Sequence, residues 1–343
     1  MSPVAQTNPW LRRFAWLLAA LTLLLICSGG MVTSKGVGLA VPDWPTTFGY
    51  NMFLFPVSQW VGGILFEHTH RLIASTVGFL TIILAVWLWR SERRPWLRWL
   101  GIAALGAVIL QGMLGGLRVT MLKDEIGIFH ACLAQAFFGL LVLIALALST
   151  AWRSSAASNV RSSASWVAIA ATVLIYLQLG LGATMRHQHR DLAILDFPAA
   201  YGKVIPDVSP GTLSAINKWR DARAFSEVTA DQIWLQMAHR FVALLITTAV
   251  VSYWWLVHRA TATGAEVRTL STWWLLLLAA QITLGAWTIW SNKAADVATT
   301  HVAVGATMLA FGVVISAITL RCRRVRDVIH VREMAPVVEG VHA

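Results

Sequence analysis

The chain has 343 residues, 57% of them hydrophobic and 13% charged. Soluble domains carry roughly 25% charged residues, so this composition excludes a soluble enzyme or carrier and defines an integral membrane protein. The net charge of +11, from 27 Lys+Arg against 16 Asp+Glu, does not signal nucleic-acid binding: the basic residues cluster at the ends of apolar runs, as positive-inside topology requires.

Taken in order, eight apolar runs reach the ~20 residues that a span needs: 14–32, 66–89, 97–117, 127–149, 166–185, 233–257, 270–290 and 298–320. The first follows Arg12 and Arg13 but is long and lacks a small-residue cleavage site before Lys35, so it reads as a retained span and not a signal peptide. Arginines crowd alternate connections: Arg90, Arg93, Arg94 and Arg98; Arg153 and Arg161; Arg259 and Arg268; and Arg321 onward. The intervening connections are poor in them, with Lys35, then Arg118 and Lys123, then Lys293. Both termini are therefore expected in the cytoplasm, with the protein multi-pass in the cell (inner) membrane. The fold class is an all-α polytopic membrane protein of eight helices in two repeated four-helix bundles. The expected units are 1–150 and 166–322, joined by a Ser/Ala-rich linker at 151–165 and followed by a polar tail at 323–343. The connection at 186–232, with Pro198, Pro206 and Pro210, is the largest non-membrane piece, and a short surface helix is expected near 213–223. Cys27, Cys132 and Cys322 are far apart and form no CxxC, so neither a zinc site nor a loop disulfide is indicated.

The repeat is visible in the residues. Gly29 through Asp43-Trp44-Pro45 is echoed by Gly182 through Asp196-Phe197-Pro198, His70-Arg71 by His239-Arg240, Gln111 and Gly115 by Gln281 and Gly285, and His130 by His301. The offset grows from 153 to about 170, which locates an insertion in the long outer connection. Two parallel units related by an axis along the membrane normal follow. Asp43 and Asp196 open their turns and are expected to shape them.

Each unit has one histidine early in its second span and one early in its fourth: His70 and His130, then His239 and His301. Helices two and four of an up-down bundle are diagonal neighbours, so two imidazoles at one depth near the outer face can clasp a flat object. The physical candidate is a haem, whose iron takes axial nitrogens on both faces. Gly112, Gly115, Gly116 and Gly285 allow close backbone approach, either for cofactor clearance or for helix packing. Arg71 and Arg240 either pair with haem propionates or snorkel to the interface. Glu67 shares a helical face with His70 and Arg71, whereas His68 points elsewhere and is expected at the interface. His187, His189, His258, His330 and His342 are not expected to be ligands. The second unit has Gln236 where the first has Glu67. A carboxylate relays protons or acts as a base and an amide does not, unless Glu67 merely orients Arg71. The asymmetry points to a reactive first unit and a second that holds haem for electron transfer or structure.

With Glu67-His68-Thr69-His70-Arg71, Leu114-Gly115-Gly116 with Arg118-Val119, His130, His239-Arg240 and His301, the chain resembles the haem A synthases, the CtaA/Cox15 family of respiratory membrane enzymes, over all eight spans. The resemblance implies oxidation of the C8 methyl group of haem O to a formyl group, giving haem A for terminal oxidases. It implies that His70 and His130 face the substrate haem, that Glu67 serves the oxidation, and that His239 and His301 ligate a haem b cofactor. Many bacterial members carry cysteine pairs in outer loops; this chain is similar to the class lacking them. Expected partners are haem O handed over by haem O synthase, membrane lipid, an electron donor or acceptor of unspecified identity and a second copy of the chain. A di-haem b electron-transfer protein shares the four histidines but does not require the Glu67/Gln236 difference. A two-repeat transporter would need broken helices and a polar path at mid-membrane depth, where the ionisable groups here are absent.

Overall fold

The computed structural model describes residues 8–154, 162–188, 192–260 and 263–334. In order, α1 (Pro9–Ser34), α2 (Gly62–Ser91), α3 (Pro95–Met121) and α4 (Asp124–Ala147) are followed by a short α5 (Thr150–Ser154). Then come α6 (Ser162–His187), α7 (Pro210–Asp221), α8 (Ala230–Arg259), α9 (Ala265–Trp290) and α10 (Ala295–Met334). Eight of these are long and apolar enough to cross a membrane, and each expected span falls on one of them, the fourth running two residues past the end of α4 at Ala147. Among the described residues there is no strand, only isolated bridges at Thr47–Tyr50 and Ala200–Lys203. Residues 155–161 of the expected linker, together with His189 and His342, lie outside the described residues, and the rest of the linker is helical.

A backbone without water must satisfy its own polar groups, which makes helices the default for apolar runs of this length. Their ends are set locally. Asn8 caps α1 by accepting from the Trp10 amide, with Pro9 in the first turn, and Pro95 opens α3. Thr229 and Gln232 close a reciprocal capping box on α8. Hydroxyls inside the spans donate back to carbonyls four residues earlier, as Thr22 does to Leu18 and Thr81 to Val77, so the threonines add no unsatisfied group to the apolar interior.

Helix contacts form two closed rings. In the first, α1 touches α2, α2 touches α3, α3 touches α4 and α4 returns to α1; in the second, α6, α8, α9 and α10 are linked the same way. The helices α2 and α4 thus lie diagonally across one ring, and α8 and α10 across the other. The rings meet where α1 and α4 touch α10 and α4 touches α6. This seam makes α1, α4 and α10 the most buried spans. One apolar core draws on all four helices of the first ring plus Ala306 and Ala310 of α10; the other centres on Tyr253 and Trp274.

The outer connection between α6 and α8 departs from a loose loop. The helix α7 buries Ile216 and Arg220 and closes a small extramembrane core with Ala193, Ile194, Ala200, Val228 and Ile233. Arg220 donates to the carbonyls of Ser226 and Leu192 and to the Tyr201 hydroxyl. This helix is the insertion that the two repeat offsets require. The fifth span also runs further than its hydropathy suggests, because Arg186 and His187 complete α6 and do not open the loop.

Trp274 is fully buried and its indole N–H donates to the Met308 carbonyl at 3.0 Å, tying α9 to α10. Trp274→Phe removes ring volume and leaves that carbonyl one donor short. It is expected to lower stability by about 2–4 kcal/mol, read as an earlier thermal unfolding transition of the detergent-solubilised protein.

Candidate functional site

Each unit begins its second helix with side chains that hold an outer loop down. The loop between α1 and α2 turns through Asp43, whose carboxylate accepts from the Phe48 and Gly49 amides at 2.8 and 2.9 Å and from the Thr46 hydroxyl. The loop after α6 repeats the turn, with Asp196 accepting from the Tyr201 and Gly202 amides at 2.8 and 2.9 Å. Trp44–Pro45 and Phe197–Pro198 are both cis. Arg71 reaches from α2 to the carbonyls of Asp43, Thr46 and Val41 at 2.7, 3.1 and 2.9 Å. Arg240 reaches from α8 to those of Asp196, Ala199 and Pro198 at 2.6, 2.7 and 3.3 Å. Both arginines are therefore loop clamps, a role that neither sequence reading assigned to them.

Glu67 and Gln236 complete the clamps differently. The Glu67 carboxylate is buried; it accepts from the Val41 amide at 2.9 Å and pairs with Arg71 at 2.7 Å. Gln236 accepts from the Ile194 amide at 2.8 Å and donates to the Ile194 carbonyl at 3.2 Å. A neutral amide thus does alone what the carboxylate and the arginine do together in the first unit. The negative charge is surplus to the loop-holding task.

Four glycines make room for four histidines. A Cβ on Gly29 would lie 2.9 Å from the His70 ring, and one on Gly115 3.3 Å from that of His130. In the second unit Gly182 faces His239 and Gly285 faces His301, at 3.6 and 3.2 Å. The first and third helices of each ring therefore back the imidazoles of the second and fourth. Gly116 instead packs under the Trp44 ring, and Gly112 has open space around it. His70 lies within electrostatic reach of His130, Arg118 and Arg71, and His239 of His301 and Arg240. In all four rings Nδ1 is buried without a hydrogen-bond partner, although each residue is only partly buried. The Gln111 side chain donates to the His130 carbonyl at 2.8 Å. Two imidazole pairs thus sit across two helix rings, each near the N-terminal ends of diagonal helices.

His68, expected at the interface, is completely buried instead. The loop folds over it, so that its Nδ1 meets the Thr47 hydroxyl at 3.3 Å and its ring packs against Phe55 and Trp60. His187 is buried against Gly127 of α4. Arg118 was not singled out by sequence reasoning as a site residue, yet it lies within electrostatic reach of both His70 and Glu67. Its signal was its position one turn after Gly115.

Fold and site define a class: an eight-span, all-helical membrane protein with an imidazole pair in each of two helix rings. Residues 12–313 match the COX15-CtaA family, described as a cytochrome oxidase assembly protein, and the chain belongs to that family. Similar proteins named heme A synthase include that of Shouchella clausii (strain KSM-K16), 27% identical over 274 residues, covering 78% of this chain and 83% of the relative. That of Beijerinckia indica subsp. indica is 27% identical over 310 residues, covering 80% and 83%. That of Geobacillus kaustophilus (strain HTA426) is 23% identical over 320 residues, covering 84% and 86%.

The Asp43 turn carries a pH signature. Partial desolvation works against the anion, but the Gly49 amide, the Thr46 hydroxyl and the Phe48 amide outweigh it and hold the carboxyl below the usual aspartate range. A depressed carboxyl stabilises the fold above its unfolded pKa and loses that contribution as pH falls through the folded value. Asp43→Asn is expected to lower stability near neutral pH by about 1 kcal/mol, small because the turn is solvent-accessible. The gap between variant and wild type should close under acid; thermal unfolding across a pH series measures it.

Proposed function

We propose that this protein is a haem A synthase, oxidising the C8 methyl group of haem O to a formyl group in the first helix ring and holding haem b in the second. The observation that carries the reading is the surplus charge of Glu67. Loop-holding is met by Gln236 in the second ring, so a buried carboxylate next to His70 has a further task. The family membership and the relatives named heme A synthase support the same conclusion.

The side chains fit a haem. Among the described residues no three His, Cys, Asp or Glu gather to hold a bare metal ion, and a structural zinc site needs four protein ligands. Two imidazoles suffice for an iron whose other positions a macrocycle fills. The pairs lie on diagonal helices, with glycines behind each ring. We assign His70 and His130 to the substrate haem and His239 and His301 to haem b. Haem b, when bound, would supply one-electron transfer.

Methyl-to-formyl conversion removes four electrons, takes up one oxygen atom and, balanced with one water, releases four protons. Glu67 is the buried carboxylate near the pair; Glu92, also buried, caps the far end of α2. Glu67 accepts a proton near the methyl carbon, and Arg71 holds the carboxylate in position at 2.7 Å. Arg71 and Arg240 serve the site through the loops they clamp. The outer loops, pinned over the N-terminal ends of α2 and α8, keep bulk water from the imidazoles.

Glu67→Gln copies the second ring, preserving the contact to the Val41 amide while removing the charge. It is expected to retain the haem b absorbance and lower haem A formation by 10²-fold or more, measured by haem extraction and mass analysis after expression beside a source of haem O. Undiminished haem A would reject the role. Conversely, His239→Ala is expected to lose haem b, seen as collapse of the reduced-minus-oxidised spectrum of the purified protein, with the helical content unchanged by circular dichroism.

A further inference from the structure

We propose that Arg118 is the carboxylate anchor of the first imidazole pair, holding a propionate of the tetrapyrrole substrate and so fixing which ring edge faces Glu67. The inference rests on the haem reading of His70 and His130.

Arg118 lies three residues after Gly115 on α3, on the same helical face and about one turn further along. Gly115 is the residue against which the His130 ring packs, so the face that carries Arg118 is the one turned to the imidazoles. Its guanidinium is partly buried over Gly38 of the first outer loop, where a Cβ would lie 2.9 and 3.0 Å from the two terminal nitrogens. It is within electrostatic reach of His70, His130, Glu67 and Asp124. Among the described residues it donates no hydrogen bond to any protein acceptor. The other arginines near the two pairs hold protein acceptors: Arg71 three loop carbonyls and Glu67, Arg186 the Gly30 carbonyl and the Ser34 hydroxyl, and Arg240 three loop carbonyls, its Nε alone left buried without a partner. Glu67 does not fill the gap, because its oxygens already accept from Arg71 and Val41. A guanidinium without a protein acceptor has its donors free for a ligand, and its planar fork matches a carboxylate in bidentate fashion.

The second ring supplies a comparison. The offset that relates Gly115 to Gly285 places Thr288 opposite Arg118, and the Thr288 hydroxyl bonds back to the Leu284 carbonyl at 2.8 Å. At this one position, one turn after the backing glycine, the first pair has a cation and the second a neutral hydroxyl. That distinction has a physical reason. Two axial imidazoles fix a macrocycle along their common axis but leave rotation about it open. Oxidation of one methyl among several needs that rotation fixed, and an edge cation reading the propionates fixes it. Arg118 is thus a positioning residue.

The test uses full-length, haem b-loaded protein in detergent, titrated with haem O and with haem O dimethyl ester while difference absorbance is recorded. Wild type should bind the free acid about 10- to 100-fold more tightly than the ester. Arg118→Gln should weaken free-acid binding by that factor, leave ester binding unchanged and so abolish the discrimination, and Arg118→Lys should restore part of it. Retained haem b absorbance in each variant shows that the fold is intact. Arg118→Gln binding the free acid as wild type does, or still preferring it to the ester, would overturn the anchor while leaving the Glu67 result standing. Failure of wild type to bind either porphyrin in a His70-dependent way would overturn the haem reading and the anchor with it.

Discussion

Everything at the end of this protein where α2 and α8 begin depends on satisfying the backbone of the two loops that lead into those helices. A loop at a membrane edge has carbonyls and amides that neither lipid nor a neighbouring strand can serve. Here they are met by side chains from the second helix of each ring: Arg71 and Glu67 for one loop, Arg240 and Gln236 for the other. Because those same helices carry His70 and His239 only a few residues away, each loop and one imidazole of each pair are fixed by a single helix.

Given this common frame, the differences between the halves stand out as chemistry. The turns at Asp43 and Asp196 share their two backbone amide hydrogen bonds, with Thr46 adding a third to Asp43, and glycine backs histidine in all four cases. Departures concentrate in the first ring's charges: Glu67 against Gln236, and Arg118 against Thr288. One adds a negative group and the other a positive one beside the same imidazoles. The second ring's neutral residues at these points suit a site that retains what it binds, and the first ring's charged residues suit one that orients a substrate and manages its protons.

Much of this was legible in the residues. Hydropathy located the eight spans, and the paired histidines and glycines emerged from the repeat. What was not legible depends on contacts between segments distant in sequence. His68 reads as interfacial because its own helix faces it outward; it is buried because Phe55, Trp60 and Thr47 fold over it. Arg71 reads as free for a ligand because the carbonyls it clamps belong to a loop whose path the sequence pattern does not state. Arg186 and His187 read as loop because they are polar, yet α6 continues through them: Arg186 bonds across the seam to Gly30 and Ser34, and His187 lies on Gly127.

The dipeptide Gly29-Gly30 occupies a particular place in that seam. Gly29 faces His70, and a Cβ on its neighbour Gly30 would lie 3.1 Å from the methyl of Thr299, two residues before His301. Adjacent glycines thus abut one site of each half. A side chain at position 30 would press on the Thr299 methyl, and one at 29 on the His70 ring. The halves differ in charge at their imidazole pairs while sharing one close-packed contact, so a change of volume there reaches both.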